Sequence, residues 1–154
     1  ARVTGIFHGR SVDTWPARTT QFNVFGDVIA AKHLLEKPVP LIWFDTGTRL
    51  SASMEETKQR LAPLGALGAF LHQYRYRHPC YQEPGKGFFD LGDVAWLLEP
   101  DLCRNEVIPA PTLTRWMYFD HTHANGPIRF VSDIDIARTW DLFYARLALG
   151  AGRR

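Results

Sequence analysis

Pro40-Leu41-Ile42-Trp43-Phe44-Asp45-Thr46-Gly47-Thr48 runs from a proline through four consecutive apolar side chains into polar turn residues. A strand with one wet face alternates apolar and polar residues. A run without alternation is covered on both faces, as in parallel sheets flanked by helices. Asp45 to Thr48 follow at its carboxyl end, where open α/β sheets gather their ligands.

The elements on either side agree with that architecture. Residues 2–7 predict a short buried strand, and His8, Gly9, Arg10 and Ser11 open a long polar loop running to Gln21-Phe22-Asn23, a length more often functional than decorative. Val28, Ile29, Ala31, Leu34 and Leu35 have helical spacing, with Asp27 at the positive end of the helix and Lys37-Pro38 closing it. Ser53 with Glu56 forms a reciprocal capping pattern, Pro63 interrupts that helix, and residues 64–76 make another. Beyond Pro100 the chain reads as extended, with strands at Trp116–Phe119 and Ile128–Val131. Asp135 caps a last helix whose apolar face is Ile136, Trp140, Phe143, Tyr144 and Leu147. The expected fold is α/β, an open, mostly parallel sheet with flanking helices, formed by residues 1–154 as a single unit.

Composition narrows the function classes. With 154 residues and 45% hydrophobic content the chain can bury an ordinary core. Its formal charge of +2 comes from dispersed Lys and Arg; only Arg75 and Arg77, beside Tyr74, Tyr76 and His78, approach a phosphate-binding cluster, so nucleic acid is not the expected partner. No run is long and apolar enough for a membrane span. Cys80 and Cys103 are far apart with no metal-type spacing, which suggests a reducing, cytoplasmic setting.

Phe88-Phe89-Asp90-Leu91-Gly92-Asp93-Val94-Ala95-Trp96-Leu97-Leu98-Glu99-Pro100 places two carboxylates at the entrance of an apolar helix. Asp90 and Asp93 are the best metal or acid candidates, since Ca²⁺ and Mg²⁺ take oxygen ligands; a helix N-cap is the competing reading. Gln21 and Asn23 flank Phe22, and in an extended segment both amides would face one side, suited to sugar hydroxyls. A turn stabilised by Asn competes with that reading. For Asp133 and Asp135 the structural role as helix caps is favoured. His121 and His123, near Asp120, lack a third ligand in range for a transition metal.

Four segments, read in order, resemble the carboxyl-terminal half of the inosine-uridine type nucleoside hydrolases, the calcium-dependent N-ribohydrolases. Residues 21–31 are similar to the family's Glu-Phe-Asn segment and the Asp-Pro-Glu-Ala-Ala after it. Phe44-Asp45-Thr46-Gly47-Thr48 resembles its strand ending in Leu-Asp-Val-Thr. Residues 89–100 resemble the His-Asp-Pro segment and following helix, and Ser132 through Trp140 the closing Asp-Ile-Asp helix.

The resemblance implies a bound Ca²⁺ and hydrolysis of the N-glycosidic bond of a ribonucleoside. It assigns Asp90 as a metal ligand, and Asn23, Gln21 and Phe89 as substrate-binding residues. Gln21 stands where the family has glutamate, which removes a negative charge near the developing sugar cation; Phe89 stands where many members have a histidine, so it can stack on a base but cannot protonate it. The family's amino-terminal Asp-rich motif, source of the other metal carboxylates and the general base, has no counterpart here. The expected partners are therefore a complementing amino-terminal half or chain and a ribonucleoside, in an oligomeric assembly, with the isolated chain inactive. The alternative is a non-catalytic, hydrolase-like structural subunit.

Overall fold

The computed structural model describes residues 5–8, 22–45, 49–77, 86–123 and 125–151. In chain order the elements are β1 (Gly5–His8), α1 (Phe22–Gly26), α2 (Val28–Glu36), β2 (Leu41–Phe44), β3 (Ser51–Ala52), α3 (Met54–Arg60), α4 (Gly65–Arg77), β4 (Lys86–Gly87), α5 (Leu91–Leu98), a 3₁₀ turn (Pro100–Leu102), β5 (Cys103–Pro109), β6 (Thr112–Leu113), β7 (Phe119–Asp120), β8 (Pro127–Ile134) and α6 (Ile136–Ala151). They fall into two compact units, Ala1–Asp45 with Arg104–Asp133, and Thr46–Cys103 with Ile134–Arg154.

The first unit is built on a sheet of order β1-β2-β8-β5. β1 pairs with β2 in parallel, Gly5 opposite Leu41 through His8 opposite Phe44, and β2 pairs with β8 in parallel, Ile42 opposite Arg129. The Asp45 amide extends the second ladder by donating to the Val131 carbonyl at 2.9 Å. All four residues of β2 are buried, as expected of a strand without polar alternation. β5 runs the other way. Ala110 exchanges backbone hydrogen bonds with Gly126 and Asn125 at one end of that pair, and at the other the Asp135 amide donates to the Leu102 carbonyl, so one chain rises as the other falls. The fold is α/β with a mixed sheet.

α2 starts where Asp27, in extended backbone, accepts the Ala30 amide at 2.8 Å, satisfying a donor that the first helical turn leaves open. Its Ala31 and Leu35 join Val24, Leu41, Trp43, Ala110, Leu113, Phe119 and Ile128 in the core. Trp43 is its centre, with Phe119 at 5.3 Å between ring centroids and Phe130 edge-on at 6.4 Å. Two expectations fail in this unit. Phe22 and Asn23 are helical rather than extended, because α1 turns Val24 inward as its buried anchor. Of the strand expected at Trp116–Phe119 only Phe119 is in one, in β7: Met117 adopts a left-handed φ of 68° and donates to the Thr114 carbonyl at 3.0 Å, making a turn with Trp116 exposed.

In the second unit α3 opens with the full capping box. The Glu56 amide donates to the Ser53 hydroxyl at 3.1 Å, and the Ser53 amide to the Glu56 carboxylate at 2.7 Å. Thr57 is buried, and its hydroxyl donates to the Met54 carbonyl at 3.0 Å. His72 Nδ1 lies 3.0 Å from the same oxygen and hydrogen-bonds with it. α4 passes so close to the Leu61 carbonyl that any Cβ at Gly68 would collide with that backbone oxygen. α6 packs against α4 and α5. Its start is capped as expected: the Arg138 amide donates to the Asp135 carboxylate at 3.0 Å, and the Thr139 hydroxyl to the Asp135 carbonyl at 2.7 Å. Among the described residues no helix is long and apolar enough to cross a membrane.

Candidate functional site

The segment entering α5 is held on two sides. β4 pairs antiparallel with β3, Gly87 opposite Ser51, and the Phe88 amide then donates to the Leu50 carbonyl at 2.6 Å. The Phe88 ring meets Trp140 edge-on at 5.1 Å and Phe143 at 6.1 Å, both on α6. Backbone and side chain are thus fixed one residue before Phe89 and two before Asp90, which is how a rigid scaffold presents groups to a ligand.

Asp90 is the residue before α5 and is exposed; its carboxylate makes no capping bond to the helix that follows. The competing reading of Asp90 as a simple side-chain N-cap is therefore not what the geometry shows. Phe89 is about half exposed, and its ring lies back over Gly87, where a Cβ would come within 2.7 Å of the ring edge. Gly87 thus helps to position the Phe89 ring. Asp93, by contrast, is only 6% exposed and sits in the first turn of α5, where a carboxylate is favoured by the helix dipole. The two aspartates so closely spaced in sequence have opposite exposures, and only Asp90 faces water. Of the apolar residues of α5 Ala95 is buried, whereas Val94, Leu97 and Leu98 are half exposed.

Asn23 lies on α1 of the first unit and is exposed, whereas Phe89 and Asp90 belong to the second. Gln21 lies outside the described residues, as do Asp13, Trp15, Cys80 and the Thr46–Thr48 end of the β2 loop. Among the described residues no three His, Cys, Asp or Glu side chains converge as a metal site. Asp90 offers one carboxylate, and a Ca²⁺ ion takes six to eight oxygen ligands. The described residues do not by themselves make a calcium site.

The His121 and His123 pair resolves into a local turn. One Asp120 carboxylate oxygen accepts the Thr122 amide at 2.8 Å and the Thr122 hydroxyl at 2.6 Å; the other lies 3.0 Å from His123 Nδ1. The Thr122 hydroxyl first, then the His123 ring and the Thr122 amide, bring the Asp120 carboxyl from 3.8 down to about 2. Its folded value lies below its unfolded one, so the turn's contribution to stability is present above roughly pH 4 and is lost as pH falls through about 2. The Asp120 carboxyl carbon is expected to titrate near about 2 by NMR. Thr122→Ala should move that midpoint up toward the ordinary carboxylate range, and an ordinary midpoint in the unsubstituted protein would remove the turn as its cause.

Solved structures share this fold. The chain superposes with a TM-score of 0.65 and 21% identity on a purine-preferring ribonucleoside hydrolase from Gardnerella vaginalis, covering 97% of this chain and 51% of that one. A plant nucleoside hydrolase matches with a TM-score of 0.68 at 12% identity, covering 96% of this chain. An inosine-uridine preferring nucleoside hydrolase from Bacillus anthracis matches at 0.61 and 19% identity, again over 96% of this chain. The chain spans about half the length of each, at 51% coverage. No family model and no curated protein matches the sequence.

Proposed function

We propose that this chain is the carboxyl-terminal half of a ribonucleoside hydrolase and that it acts when the other half of the fold completes it. The observation that carries the reading is the match of 96–97% of the chain, at TM-scores of 0.61 to 0.68, to half of three proteins that bear that activity in their names. In the reaction, water bonds to the anomeric carbon, the carbon–nitrogen bond to the base breaks, and the base leaves with a proton. The general base is assigned to the complementing half, along with the carboxylates that complete a Ca²⁺ site.

This chain's residues bind and orient. The Asn23 amide supplies both donor and acceptor for ribose hydroxyls. Gln21 has the same capacity without the charge of a glutamate. Phe89 gives the base a flat apolar surface and no proton, so departure of the base depends on a proton from elsewhere. Asp90 is the carboxylate assigned toward the ion, and when bound such an ion holds a diol and lowers the pKa of its water.

Calorimetry on the completed protein tests the reading. Ca²⁺ is expected to bind and to strengthen ribose binding, because linkage makes the two reciprocal. Release of free base should accompany both. Ribose heats that are indifferent to Ca²⁺, with no base released, would leave a structural subunit that keeps the fold without the chemistry.

A further inference from the structure

We infer that the apolar face carried by Phe22, Phe25 and Ile29 is the seat of the remaining half of the hydrolase fold. Phe22 is 82% exposed, Phe25 66% and Ile29 70%, while Val24 between the two rings is fully buried. α1 is therefore anchored by one side chain and turns two aromatic rings outward. Phe22 and Phe25 stand three residues apart and so share a side of α1; Ile29 follows on α2, which packs against α1. Large apolar side chains grouped in this way mark a surface that another polypeptide covers.

The occupant follows from the extent of the match. The chain accounts for 51% of each solved hydrolase, so about half of each lies outside the match and is the candidate occupant. The inference rests on the hydrolase reading and adds a location: Asn23 is exposed on α1 next to Phe22, which places the sugar-binding amide beside the seam between the halves. The seam then has a consequence for activity, since docking is what brings groups of the other half beside Asn23.

A photoreactive phenylalanine analogue at position 25, incorporated in the cells that make this protein, provides the test, with a second probe at the exposed Val107 on β5 as control. Peptide mapping of the adducts from position 25 is expected to identify a hydrolase-like segment outside residues 1–154, on the same polypeptide or a second one. Phe22→Ser should cut that labelling at least tenfold. Adducts to a second copy of this chain would overturn the proposal and make the face a homodimer contact. A hydrolase-like segment labelled from Val107 and not from position 25 would overturn the surface while leaving the functional reading in place. Labelling of neither probe by such a segment would count against both.

Discussion

Trp140→Ala is expected to cost the second unit about 3–5 kcal/mol, the range for truncating a large aromatic in a packed core. Trp140 is buried, stacks on Tyr144 at 5.6 Å, and meets Phe143 and Phe88 edge-on at 5.8 and 5.1 Å. Tyr144 is itself covered by the Arg60 guanidinium, 3.9 Å above its ring centroid. Removing the indole leaves a cavity bounded by two rings from α6, Phe143 and Tyr144, and one, Phe88, from the β4–α5 segment. The rings on α6 can shift toward one another. The Phe88 backbone cannot shift to follow without straining its amide's bond to Leu50.

The loss should therefore appear at the entrance of α5 before it appears elsewhere. Hydrogen exchange at the Phe88 and Leu91 amides is the measurement. The first is bonded to Leu50, the second to the Phe88 carbonyl at 3.1 Å, and both should exchange faster by the factor that the stability change implies. Trp140→Phe keeps a ring in place and should retain most of the protection. Unchanged exchange at Phe88 in the alanine variant would mean that the aromatic cluster does not hold the segment bearing Phe89 and Asp90.

What the sequence disclosed and what it hid divide along physical lines. β2 was legible because Leu41 to Phe44 leave a strand no polar face, and the capping of α3 and α6 was legible because Ser53, Glu56 and Asp135 act within a few residues of themselves. The antiparallel placement of β5 was not, since it depends on pairing with a strand some twenty residues on, and its burial pattern shows little alternation. α1 was read as extended because five residues with a terminal Gly and two outward Phe side chains lack any apolar helical period. Trp116 misled in the same way, as an apolar side chain that sits exposed in a turn. At the candidate site the residue types were legible and their exposures were not: nothing local distinguishes Asp90, facing water, from Asp93, turned inward. That difference comes from helical geometry, which carries positions three apart to nearby directions only once both lie inside the helix. Asp90 precedes α5 and escapes it.

Asp90→Ala in the completed protein is expected to weaken Ca²⁺ binding, and with it ribonucleoside hydrolysis, by more than the roughly 10–100-fold that loss of even an outer-shell partner costs a metal site. The argument runs through what the substitution leaves alone. Asp90 is exposed and its carboxylate does not cap α5, so its truncation removes no capping bond, and Leu91 still donates to the Phe88 carbonyl. Folding should change by no more than about 0.5 kcal/mol, as for an ordinary surface position. A large functional loss on an intact fold is the mark of a ligand. Asp93→Asn provides the contrast: Asp93 is buried in the first turn, so its substitution should appear in stability before it appears in Ca²⁺ affinity. Calcium titration and urea unfolding of both variants separate the roles. Equal calcium affinity in Asp90→Ala and the unsubstituted protein would remove this carboxylate from the metal site, and with it the residue on which the assignment of this chain to the reaction chiefly depends.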